Sequence, residues 1–349
     1  MSWTDIFPVF NELQITEYEV GVTVEEAELL EGLFGVAKCI NPRVGKHLVA
    51  TTLFWKKMVV EEGQLPPVTR ERMINARKLG LMSQYEPWSH YVVPLIEGAV
   101  KLKEARPDIV FRVYLAADLE FLVPDLVGAG CEVMLMKSSS IVHNPGAMWR
   151  FLALEEKDRW VTITDSDIAR DILPSVERTE LVVKSGLGLW RVPYVFGSDE
   201  ADDHPGYYRP INACQFGGMG GYLRMVDLMK AFIWHALRET MPNQCVVPGA
   251  EGKPKELPIY GTNWPAYGFD EWFLSAAVYP RLAFEGMLTF FLINPKVSNH
   301  WFALDSEYVT WANPKSEILF FGEWDVEKRK KTSKKILNNH SKKPWKKKR

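Results

Sequence analysis

Short runs of apolar, often β-branched residues alternate along the chain with stretches in which apolar residues recur every three or four positions. Between about His47 and Ile293 this is the pattern of an α/β domain, buried strands separated by amphipathic helices. His47–Phe54 (HLVATTLF), Ile109–Leu115 (IVFRVYL), Glu132–Met136 (EVMLM) and Trp160–Thr164 (WVTIT) predict strands. Tyr91–Lys103 sets Val92, Leu95, Ile96, Ala99, Val100 and Leu102 on or near one face and predicts a helix; Thr69–Leu79 predicts a shorter, more polar one. Further helices are expected over Tyr222–Leu237 and Asp270–Val278. One amphipathic stretch, about Glu25 to Ala37, marks residues 1–45 as a small helical extension. Gly197–Pro210 and Asn243–Trp264, dense in Gly and Pro, read as long loops of the kind that form lids or substrate walls.

Composition places the chain among folded, water-soluble proteins: 349 residues, 47% apolar, 25% charged and 12% aromatic. The net charge of -2 conceals an asymmetry, because Lys328 to Arg349 holds twelve Lys or Arg and no acid, leaving 30 bases against 44 acids in the first 327 residues. The expected organisation is therefore an extension (1–45), one α/β domain (46–327) and a basic flexible tail (328–349) suited to an anionic membrane surface. No uncharged apolar run approaches the roughly 20 residues of a membrane helix. The N-terminus lacks the pattern of a secretory signal, and four scattered cysteines without a C-x-x-C pair read as reduced thiols of a cytoplasmic protein.

The segment richest in chemistry is WVTITDSD, Trp160 to Asp167, in which an apolar strand runs directly into two aspartates one residue apart. Beyond a strand's end, carboxylates at i and i+2 can turn toward one hard divalent cation, and strand ends are where α/β proteins build sites. The plainer alternative is an acidic cap leading into a helix near Ile172. Arg150, fifteen residues before Asp165, is either a planar cationic fork for a phosphate or sugar, or a surface partner of Glu155 or Glu156. Asp270 is either a site carboxylate or a favourable charge at a helix start. The glycines Gly217, Gly218, Gly220 and Gly221 do not have dinucleotide-fingerprint spacing and imply close backbone approach, to a ligand or to a neighbouring element. His235 reads as structural.

Gly146 to Asp167 (GAMWRFLALEEKDRWVTITDSD) resembles the helix, turn, strand and D-x-D of metal-dependent GT-A fold glycosyltransferases, most of all the glycogenin-like and lipopolysaccharide-galactosyltransferase-like group. The resemblance spans about Arg112 to His300. It implies a Rossmann-like mixed sheet flanked by helices in a single catalytic domain. It implies transfer of a sugar from a nucleotide-sugar, UDP by family default, to a hydroxyl of a glycan or glycoconjugate, with a lean toward retention. Asp165 and Asp167 would hold Mn or Mg, with His300 of SNHWF as third ligand, and Arg150 would contact the aspartates and the donor. Asn212, Ala213, Gly217 and Gly218, from INACQFGGMGG, would lie against the donor sugar. Asp270 and Glu271, from YGFDEWFL, would stand at the reacting centre, although the family writes Gln where Glu271 stands. The Gly and Lys-Pro-Trp expected soon after the histidine are absent.

Two other readings start from the same residues. A haloacid-dehalogenase-like phosphohydrolase also places D-x-D after a buried strand, but it wants Thr or Val where Ala169 stands. A polyanion-binding role could rest on the tail. The acidic body argues against a nucleic-acid partner.

Overall fold

The computed structural model describes residues 10, 12–55, 67–80, 86–139, 146–184, 215–221, 224–237, 246–248, 254–256, 270, 273–278, 290–293 and 318–321. Two helices come first, α1 (Glu12–Gly21) and α2 (Val24–Phe34). Thr23 caps α2 with a reciprocal pair of bonds, its hydroxyl accepting from Glu26 N while Glu26 accepts from Thr23 N. Then follow β1 (Val36–Ile40), β2 (His47–Leu53), α3 (Arg70–Ile74), α4 (Val93–Ala105), β3 (Ile109–Leu115), α5 (Val123–Gly128) and β4 (Glu132–Met136). A ten-residue 3₁₀ helix (Gly146–Glu155) leads into β5 (Trp160–Thr164), followed by α6 (Ile172–Lys184), β6 (Gln215–Met219) and α7 (Met225–Leu237).

These strands form one mixed six-stranded sheet in the order β1-β4-β3-β2-β5-β6. The four central strands are parallel, and β1 and β6 run antiparallel along its edges. β2 and β3 are buried along their whole length, which explains their mainly apolar composition, and the polar residues among them, such as Thr52 and Arg112, are hydrogen-bonded. On one face, Thr162 of β5 donates to Thr179 of α6 at 2.7 Å, and α4 packs beside α6. On the other face lie the 3₁₀ helix and α7, where Phe151 meets Phe216 at 5.7 Å and Phe273 at 6.0 Å between ring centroids.

Several expectations need correction. The segment 1–45 is helical only to Phe34, and β1 belongs to the sheet. The extension is tied to the domain by His235 of α7, whose Nε2 lies 2.8 Å from Gln14 O, so that histidine is structural. The helix expected over Thr69–Leu79 stops at Ile74, and that expected from Tyr222 begins at Met225. Gln215–Met219 is a strand that its glycines disguised. Inside the expected loop Asn243–Trp264, β7 (Val246–Pro248) and β8 (Pro254–Glu256) pair antiparallel. Two further strands, β9 (Phe290–Ile293) and β10 (Ile318–Phe321), pair in parallel. The Gly197–Pro210 segment and the basic tail lie outside the described residues.

Candidate functional site

From β2 the chain steps outward to β3 and β4, then returns to place β5 on the other side of β2. The connections diverge there, and beyond the carboxyl ends of strands at such a switch point is the usual place for a ligand in an open α/β sheet. Asp165, Ser166 and Asp167 directly follow β5 at that edge. Neither aspartate caps α6. That helix begins at Ile172, and the short turn before it is entered from Ile168 without a side-chain cap.

Arg150 is brought to the same place by the 3₁₀ helix. Thr52, near the end of β2, donates its hydroxyl to Gly146 O at 2.7 Å and Trp149 Nε1 donates to Leu33 O at 2.9 Å, while Leu154 O at the far end accepts from Gly221 N at 2.8 Å, so both ends of the segment are anchored. The Arg150 side chain is 5% exposed. Its Nη1 bonds Asp165 Oδ1, and its Nη2 bonds Asp270 Oδ2 at 2.6 Å. The alternative partners are occupied elsewhere: Glu156 pairs with Arg112 and Arg159, and Glu155 accepts from Val226 N at 2.6 Å at the start of α7. One buried guanidinium thus joins two carboxylates from distant parts of the chain. Asp270 is held there at 14% side-chain exposure.

Asp167 stands open, at 33% exposure. Burial first, and the charge of Asp165 second, push its carboxyl above the ordinary range, while His90 pulls it back. With the three carboxyls ionised, Arg150 leaves the cluster at a net charge of about -2, which one divalent cation would neutralise. Among the described residues no group of three or more His, Cys, Asp or Glu is placed to hold a metal ion. Asp165 and Asp167 are two partly exposed carboxylates one residue apart, oxygen donors of the kind that Mg or Mn takes together with phosphate oxygens from a substrate.

Gly217 and Gly220 have a packing reason, a Cβ on Gly220 meeting Glu156 O. Gly217 pairs with Thr162 and Gly218 with Val161, inside the sheet and away from its carboxyl edge. A Cβ on Gly217 would stand 2.5 Å from Val161 O and against Thr179 of α6. Asn212, Ala213, Glu271 and His300 lie outside the described residues, as do Trp264 and Trp272. The residue that sequence reasoning missed is His90, whose Nε2 is 3.7 Å from Asp167 Oδ2. A signal existed: a crossover helix starts at the carboxyl edge of a parallel sheet, so polar residues at its entry face the strand ends.

Among the described residues no helix is long and apolar enough to cross a membrane. No protein-family model, no curated protein and no solved structure matches the chain.

Proposed function

We propose that the chain is a metal-dependent glycosyltransferase of the GT-A kind that moves a sugar from a nucleotide-sugar, a UDP-sugar by the resemblance, to a hydroxyl of a glycan or glycoconjugate. The observation that carries this reading is the constellation of Asp165, Asp167, Arg150 and Asp270 at the carboxyl edge of the sheet. A surface pair with Glu155 or Glu156 does not account for Arg150, which is buried against Asp165 and Asp270. A mixed sheet with D-x-D at a strand's carboxyl end, and an arginine on the preceding helix touching the first aspartate, is what the resemblance implies.

Asp165 and Asp167 would hold the Mn or Mg ion, whose charge opposes the negative charge that develops on the departing diphosphate. Arg150 fixes Asp165 and Asp270 at once, so the two carboxylates keep their spacing while ligands come and go. A carboxylate held by a guanidinium accepts hydrogen bonds, and Asp270 would orient donor or acceptor hydroxyls or receive the acceptor proton. Asn212, Ala213, Glu271 and His300 keep their roles only through the resemblance. The phosphohydrolase reading is disfavoured by Ala169, which stands where that family wants Thr or Val. Cytoplasmic residence, with the tail resting on an anionic surface, completes the proposal.

Asp167→Ala should abolish Mn-dependent turnover of nucleotide-sugar donors in a protein that stays folded. Undiminished wild-type turnover in excess chelator would sink the reading.

A further inference from the structure

We propose that the segment Arg70–Gly80 is a docking surface for an anionic lipid bilayer, and that it turns the carboxyl edge of the sheet toward that bilayer. The segment comprises α3 and the turn after it, in which Leu79 N donates to Asn75 O at 2.9 Å. Met73 and Ala76 are buried, whereas Ile74 and Leu79 are 42% and 53% exposed beside Arg77 and Lys78. The segment carries four bases and one acid, Glu71, on a body in which acids outnumber bases. Arg70 is engaged by Asp125, and Arg72 donates to Pro67 O at 2.6 Å. Arg77 and Lys78 are exposed and, among the described residues, have no carboxylate partner. Two apolar side chains and two unpaired cations standing together fit the boundary between acyl chains and anionic headgroups, the apolar groups entering the first and the cations meeting the second. An acidic polypeptide would match the cations and give Ile74 and Leu79 nothing to enter.

The segment follows the carboxyl end of β2 and adjoins the site. Arg70 stacks over the Trp88 ring, 4.6 Å from its centroid, and Trp88 shares a π-helical turn with His90, whose Nε2 is 3.7 Å from Asp167 Oδ2. The opposite charge lies behind the other face of the sheet. Glu12 to Phe34 holds seven glutamates and no base, and α1 and α2, which carry them, pack on α7. An anionic surface therefore attracts one side of the body and repels the other. The basic tail supplies most of the attraction, and the segment fixes which side meets the lipid. Held so, the Asp165–Asp167 edge faces molecules anchored in the bilayer, and the acceptor hydroxyl belongs to a membrane-bound glycoconjugate. That last consequence alone rests on the glycosyltransferase reading above.

The test uses the full chain and vesicles of phosphatidylcholine, with and without phosphatidylglycerol. Co-sedimentation reads affinity, and hydrogen exchange reads which residues meet the lipid. A basic residue near an anionic surface is worth about fivefold in affinity, so Arg77→Gln with Lys78→Gln should weaken binding to the phosphatidylglycerol vesicles by about tenfold or more. Ile74→Ser with Leu79→Ser should weaken it by about threefold or more. Amides of residues 70–80 should gain protection on these vesicles, and those of residues 12–34 should not. All four positions are exposed, so circular dichroism and donor turnover without vesicles should stay at wild-type values. The inference is overturned if either double variant binds as wild type does, or if protection is absent from 70–80 or falls on 12–34. It is also overturned if the charge variant loses binding to polyglutamate while keeping its affinity for vesicles. Absence of donor turnover in a wild type that docks as described overturns the glycosyltransferase reading and leaves the surface standing, so the two failures are distinguishable.

Discussion

Replacing Arg150 by Met tests the site's architecture without reference to any substrate. Met fills similar space but removes the cation that Asp165 and Asp270 share. At an effective dielectric near 20, a pair of unit charges about 4 Å apart is worth about 4 kcal/mol. Asp165 is the more exposed partner and contributes less, being screened by water, so most of the loss should come from Asp270. Breaking a buried pair from one side typically costs about 3–5 kcal/mol, and the variant should lose an amount in that range. Asp270→Asn should lose less, about 1–3 kcal/mol, because Arg150 retains Asp165. The double variant Arg150→Met with Asp270→Asn should fall short of the summed losses by about 1–3 kcal/mol, the mark of a direct contact. Urea unfolding at constant slope measures all three. A loss below about 1 kcal/mol for Arg150→Met, or strict additivity in the double variant, would refute the reasoning and return Arg150 to the surface.

Burial is the leading reason that His47 protonates at about 4 in the fold instead of 6.5, outweighing nearby Glu180. The unfolded chain therefore takes up the proton first as pH falls, and stability should drop by about 2 kcal/mol between pH 8 and pH 5. His47→Gln should flatten that slope in urea midpoints, and an unchanged slope would contradict the assignment. Gly98→Ala should destabilise by about 1–3 kcal/mol through its clash with Ala169. No such loss would be seen in thermal melting if α4 were loosely seated. A chain ending at Glu327 should retain donor hydrolysis yet lose salt-sensitive binding to anionic vesicles, and loss of hydrolysis at saturating donor would assign the tail to the active site instead.

The parallel core is legible because its strands are buried on both faces and so are rich in apolar and β-branched residues, with only isolated polar positions such as Arg112. Ile109–Leu115, Glu132–Met136 and Trp160–Thr164 have the same ends in sequence and structure. The edge strand Gln215–Met219 is not, since its glycines serve the neighbouring helix: Gly217 makes room for Thr179, a demand set by a residue far off in sequence. The edge strand Val36–Ile40 is not legible because it is short and largely exposed, and the helical periodicity of Glu25–Ala37 runs into its first two residues. Asp165 and Asp167 announced themselves by following a strand. Arg150 was ambiguous in sequence, with two glutamates close by, and tertiary structure decided between them by giving Glu155 to α7 and Glu156 to Arg112 and Arg159. His90 escaped notice because the apolar periodicity of its helix begins one residue later.

The central claim is that the carboxylates at the end of β5 bind a nucleoside diphosphate through a divalent ion. Calorimetric titration of UDP, GDP and ADP into the full chain, with Mn and then with excess chelator, tests it without knowledge of sugar or acceptor. At least one of these should bind in the presence of Mn and not in chelator, and Asp165→Asn with Asp167→Asn should abolish that binding. If no nucleoside diphosphate binds, or if binding is indifferent to both chelator and the double substitution, the claim is contradicted.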